Sequence, residues 1–220
     1  MSELGYDIAH LFDGIILLLS FTLLYQRRLA SVINIYAVQA LVLAAAAAWQ
    51  GHVHHDHQLY LTAGMALVFK AGIVPYAMHR IIASFGIHRT VETALGVGPT
   101  TIAGASLVAL SVMLVLPTTA ASAASTRESL ALALSTVLLG LLMMITRRNA
   151  VSQVMGFLSL ENGLILAAVG VAGMPLLVEL SVAFSIMVAF IIFGIFFFHI
   201  RERFDSLDIT TMETYRGERR

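Results

Sequence analysis

The sequence predicts an all-α, polytopic integral membrane protein with seven transmembrane helices, its N-terminus outside and its C-terminus cytoplasmic. Three observations predict it. Of 220 residues, 59% are hydrophobic and only 12% are charged, with a mean hydropathy of +0.88, a balance that a water-soluble domain does not carry. The apolar residues come in runs close to the length of about 20 residues that a bilayer's hydrocarbon layer requires. The arginines fall between those runs with a strong sidedness.

Taken in order, the runs cover 7–25, 30–49, 59–83, 99–116, 129–145, 150–172 and 176–200, each bounded by charged residues or by Gly/Pro punctuation. The first has no basic leader and no small-residue cleavage site, so it is expected to stay as a span. With the N-terminus outside, the inner connections and tail hold eleven arginines: Arg27, Arg28, Arg80, Arg89, Arg147, Arg148, Arg201, Arg203, Arg216, Arg219 and Arg220; the outer connections hold Arg127 alone. Adding or omitting a helix would scramble this sorting. Gly96-Val97-Gly98-Pro99 interrupts the chain before the fourth run, and a Ser/Ala/Thr-rich stretch follows Pro117. The expected organisation is therefore a four-helix N-terminal part (1–116), an outer linker (117–127), a three-helix part (128–200) and a cytoplasmic tail (201–220). The Ala44 to Ala48 run and the small residues of the second, fourth and sixth runs fit close helix contact in lipid.

The same numbers exclude several functions. With no cysteine there is no disulfide, thiolate metal site or iron–sulfur ligand set, and the chain has too little aqueous mass for a cofactor domain. Neither catalysis, a cofactor nor a resident metal is expected in it. The net charge is zero and no basic block forms a nucleic-acid footprint, so the expected partners are lipids and other membrane proteins.

Function has to be sought among the polar residues inside the apolar runs, because an ionisable group in hydrocarbon is costly and faces a protein interior or wet cavity. Four stand out: Asp13, Lys70, Glu161 and Glu179. At ~1.5 Å of rise per residue, Lys70 is expected about 16 Å below the outer surface and Glu161 at a comparable depth from the inner side. Glu179 and Asp13 are expected near the outer mouth, Asp13 within about two turns of it. An acid and a base sharing one layer, with further carboxylates above, make a ladder for protons, since burial and opposite charge draw pKa values together. The alternative is a static ion pair that fixes helix packing. For Asp13 and Glu179 it is a simple reach to headgroups.

His79, nine residues after Lys70 with Pro75 between them, is placed to relay protons to the cytoplasm, or else is an interfacial histidine. The loop His52-Val53-His54-His55-Asp56-His57 has ligand types suited to zinc or nickel, but a solvated turn is the commoner role for such a stretch. Asn34, Ser159, Asn162 and Ser185 are expected to hold water or to bond between helices.

The motifs then point to a family. Leu138-Leu139-Gly140-Leu141-Leu142, Arg147-Arg148-Asn149, Gly156, Glu161-Asn162-Gly163, Leu177-Val178-Glu179 and Phe204-Asp205-Ser206-Leu207-Asp208, with Phe69-Lys70-Ala71-Gly72-Ile73-Val74-Pro75 upstream, resemble hydrogenase-4 component E. That family is a membrane subunit of formate hydrogenlyase-type and other energy-conserving hydrogenases related to respiratory complex I. The last three runs are in turn similar to the K subunit of complex I and the C subunit of multisubunit sodium/proton antiporters. The K subunit's middle-helix glutamate falls where this chain has Leu158, one turn before Glu161, and its second glutamate where this chain has Phe184 to Ala189. Two carboxylates carry over; their depths do not.

The resemblance implies a non-catalytic subunit of a complex I-like oxidoreductase in a prokaryotic inner membrane. It would sit beside antiporter-like subunits and a peripheral hydrogenase or related redox module, with [NiFe] and iron–sulfur clusters in those partners. Lys70, Glu161, Glu179, Asp13 and His79 are the expected proton-translocation residues. A structural adaptor and an antiporter subunit without hydrogenase are the other readings. A retinal-binding pump is disfavoured, because its lysine would belong in the last helix.

Overall fold

The computed structural model describes residues 3–85, 96–119 and 124–170. All of these belong to one compact unit. The expected seventh span, Glu179 and the tail lie outside the described residues.

The described chain is helical: α1 (Glu3–Tyr25), α2 (Leu29–His54), α3 (His57–Met65), a π-helix (Ala66–Ile73), α4 (Val74–Phe85), α5 (Val97–Thr118), α6 (Ala124–Thr146) and α7 (Ala150–Gly170). Among the described residues, six stretches are long and apolar enough to cross a membrane; α3, the π-helix and most of α4 form one of them, His57–Ala83.

Contacts between helix ends give an up-and-down order. At one end the Tyr6 hydroxyl donates to Glu128 at 2.9 Å and the Trp49 indole donates to the Gly5 carbonyl at 3.2 Å. At the other, Arg147 Nη2 donates to the carbonyls of Leu23 and Leu24 at 3.0 and 2.6 Å. These are last-turn carbonyls of α1, at the negative end of the helix dipole; Leu23 also accepts from the Gln26 N–H at 3.4 Å. Arg147, one of the arginines assigned to the inner connections, is therefore a buried helix cap, only 2% exposed. Burial pushes its pKa below the usual arginine value, and it stays charged.

Glycines decide the closest approach. α6 and α7 run antiparallel so tightly that a Cβ on Gly140 would stand 2.5 Å from the Leu160 nitrogen and 2.8 Å from the Gly156 carbonyl oxygen. A Cβ on Gly163 would stand 2.8 Å from the Val137 nitrogen. Small residues replace the hydrophobic drive that is missing between helices in lipid. α7 becomes the central helix, with 61% of its span buried against 22% for α5.

Two connections are tighter than the sequence implies. α2 continues helical to His54 and α3 starts at His57, so the histidine loop shrinks to His55 and Asp56. His55 takes a left-handed φ of 55°, and the Asp56 carboxylate caps α3 by accepting from the Gln58 N–H at 2.8 Å. Among the described residues no three His, Asp or Glu side chains converge as a metal site. Of the 117–127 stretch, Pro117 and Thr118 belong to α5, and residues 124–127 to α6.

Candidate functional site

Lys70 sits on the π-helix, the only stretch of the described residues with i→i+5 bonding. The Val74 N–H reaches back to the Phe69 carbonyl, and Pro75 follows with no N–H to give. Pro75 occupies the position from which an i→i+5 N–H would reach the Lys70 carbonyl. The wider turn carries a buried lysine on a segment whose backbone is already relaxed from the α register.

That lysine meets Glu161 of α7. Lys70 Nζ stands 3.3 Å from Glu161 Oε1, with the side chains 3% and 1% exposed. The expected common layer is thus a direct contact between the third and sixth spans. In a low-dielectric interior the opposite charges of such a pair offset part of each other's desolvation cost.

A chain of neutral polar groups lies beside the pair. Asn162 Nδ2 donates to Gln39 Oε1 at 3.1 Å, Gln39 Nε2 donates to Ser20 Oγ at 2.8 Å, and Ser20 Oγ donates to the Ile16 carbonyl at 2.9 Å. It ties α7 through α2 to α1, and each of its three side chains is 2% exposed or less. Tyr36, one turn before Gln39, is fully buried, and its hydroxyl has no hydrogen-bond partner among the described residues.

The other expected site residues are dispersed. Asp13 accepts from Ser129 Oγ at 2.6 Å and lines a cavity of roughly one water's size with Ala9, Ala46, Gln50, Leu166, Val169 and Gly170. Leu166 and Val169 lie five and eight residues beyond Glu161, about 7 to 12 Å along the helix. Because α1 begins at Glu3, Asp13 is ten residues into its helix, about 15 Å, and it is 5% exposed. At the opposite end, His79 pairs with Asn34 Oδ1 at 2.8 Å. Glu179 lies outside the described residues.

Gln39, Tyr36, Ser20 and Ser129 carry weight here that single-residue reasoning missed. One signal for two of them was present: Leu29, Val32, Ile33, Tyr36, Gln39, Ala40, Leu43 and Ala44 form the buried stripe of α2, spaced at three and four residues. A glutamine in such a stripe needs a buried partner.

No family model matches the chain, and no solved structure matches it. Sequence relatives do. The chain is 28% identical over 217 residues to hydrogenase-4 component E of Escherichia coli K12, covering 97% of this chain and 99% of the relative; the Shigella flexneri protein of that name matches equally. It is also 27% identical over 205 residues, 92% of its length and 93% of the relative's, to an uncharacterized protein of Mycobacterium tuberculosis. The chain is similar, over nearly its whole length, to hydrogenase-4 component E, the family its motifs resemble.

Proposed function

We propose that this chain is a non-catalytic membrane subunit of an energy-converting, complex I-like hydrogenase complex, and that Lys70 and Glu161 are its central proton-translocation pair. The observation that carries the reading is a buried Lys–Glu contact of 3.3 Å in a chain similar from end to end to a hydrogenase-4 component. An ion pair in hydrocarbon marks a proton or ion pathway by default. The redox chemistry, with its [NiFe] and iron–sulfur centres, belongs to partner subunits, and antiporter-like membrane subunits are the neighbours.

The full topology is seven spans with the N-terminus outside, in a prokaryotic inner membrane. The arginine bias supports this orientation, as does the meeting of the first inner connection and Arg147 at one end of the bundle. The four-plus-three helix organisation belongs to the same reading. A charge moved across 100 mV costs about 2.3 kcal/mol, within the range of opening one buried pair. When redox turnover shifts the hydration of the pair, Glu161 releases or takes up a proton while Lys70 holds the compensating charge. Glu179 and Asp13 serve the outer side and His79 the inner.

The test is proton translocation by the intact complex in membrane vesicles carrying Glu161→Gln. Translocation is expected to be lost while the complex still assembles; an assembled variant that translocates at the full rate overturns the role. Replacing Lys70 and Glu161 together with apolar residues separates the adaptor reading, in which translocation survives.

A further inference from the structure

Resting on that reading, we infer that Tyr36 is the proton relay between Glu161 and the inner end of the bundle. Among the described residues, two polar features near Glu161 are candidates for carrying a proton inward. The first is the amide chain from Asn162 through Gln39 to Ser20. It points one way: Asn162 donates to Gln39, Gln39 to Ser20, and Ser20 to the main-chain carbonyl of Ile16. A carboxamide does not exchange its N–H protons for its neighbour's on the time scale of a relay, and the chain ends on a carbonyl with nowhere to send a proton. It is a scaffold that holds α7 against α2.

The second is the Tyr36 hydroxyl. A hydroxyl both donates and accepts, so it passes a proton by taking one on its oxygen and releasing its own from the other side, with no net change in charge. Tyr36 is 0% exposed, its hydroxyl is unpartnered among the described residues, and it interacts electrostatically with Glu161. A buried hydroxyl left without a partner costs stability that a Phe would not, so the group has a use other than packing.

Depth places it on the route. Tyr36 is seven residues past Leu29, about 10 Å into α2, whereas Glu161 is eleven residues past Ala150, about 16 Å into α7 from the same end. Asn34, which pairs with His79, is lower still, about 7 Å in. Glu161, Tyr36 and the His79–Asn34 pair thus descend towards the Arg27, Arg28 and Arg147 end, and Tyr36 fills the gap between a carboxylate and a histidine too far apart to exchange a proton directly. The relay requires water to bridge the remaining distance.

The experiment compares wild type, Tyr36→Phe and Glu161→Gln in vesicles containing the whole complex, measuring proton translocation per assembled complex together with the amount assembled. Tyr36→Phe keeps the ring and removes only the hydroxyl. A relay predicts normal assembly and translocation reduced at least ~10-fold per complex. A wild-type rate per complex in Tyr36→Phe, whether or not less complex assembles, overturns the inference, provided Glu161→Gln abolishes translocation. A wild-type rate in Glu161→Gln overturns the proposed function itself.

Discussion

Lys70 on the π-helix and Glu161 on α7 touch at 3.3 Å inside the bundle, joining two residues that are 91 positions apart in the chain. Each charge is tolerable there because of the other. Single variants, Lys70→Met or Glu161→Leu, leave one uncompensated buried charge and are expected to cost about 3 to 5 kcal/mol. The double variant is expected to recover most of that. Thermal unfolding in detergent of all four proteins closes the cycle, and a double variant as unstable as the sum of the singles would show that the contact does not couple them.

Arg147 is expected to be irreplaceable by lysine. Its guanidinium reaches two carbonyls of α1 at once, a fork that an ammonium does not reproduce. Arg147→Ala removes the side-chain donor from both carbonyls and is expected to destabilise by about 1 to 3 kcal/mol, with Arg147→Lys recovering only part. The adjacent Arg148 has no such contact among those described, and its replacement by alanine is expected to fall within about 0.5 kcal/mol of wild type. Unfolding midpoints of the three variants decide this.

The helix pair α6–α7 is expected to reject any side chain at Gly140. Even a methyl would meet the Leu160 main chain at 2.5 Å, so Gly140→Ala forces the helices apart along the interface that holds Glu161 in place. The expected cost is about 1 to 3 kcal/mol for alanine and more for leucine. Gly14, which has nothing within 4 Å of an added Cβ, is the control and is expected to accept alanine without loss. Yield of folded protein and midpoint of unfolding measure both.

Gln39 and Asn162 are expected to act as one unit. Gln39→Leu strands the Asn162 amide, Asn162→Leu strands Gln39, and the pair of changes together removes both. A double-mutant cycle is expected to give a coupling of roughly 0.6 to 1.7 kcal/mol, the range for interhelical hydrogen bonds in lipid. Zero coupling would mean the bond at 3.1 Å contributes nothing to holding α2 on α7.

The first six apolar runs were legible because length and hydropathy are local properties, and the bilayer imposes the same demand on each run. Lys70 and Glu161 were legible for a related reason: a charge in hydrocarbon stands out whatever its neighbours are. Tyr36, Gln39 and Ser20 did not stand out, because hydroxyls and amides are common in membrane helices and only a partner on another helix makes one of them matter. Arg147 read as one more inner arginine beside Arg148, and nothing in Arg147-Arg148-Asn149 says which of the two turns inward to cap α1.

By itself the sequence determined that this protein is a set of apolar helices with an acid and a base at similar depth, and it marked the proline and glycines where the helices deviate. Only the tertiary structure decided that the acid and base touch, that Asp13 belongs to a separate site with Ser129, and that an amide chain flanks the pair. The reason is physical: depth along a helix follows from counting residues, but rotation about its axis and the choice of neighbour follow from packing. Here that packing is set by how closely Gly140, Gly156 and Gly163 allow two backbones to approach.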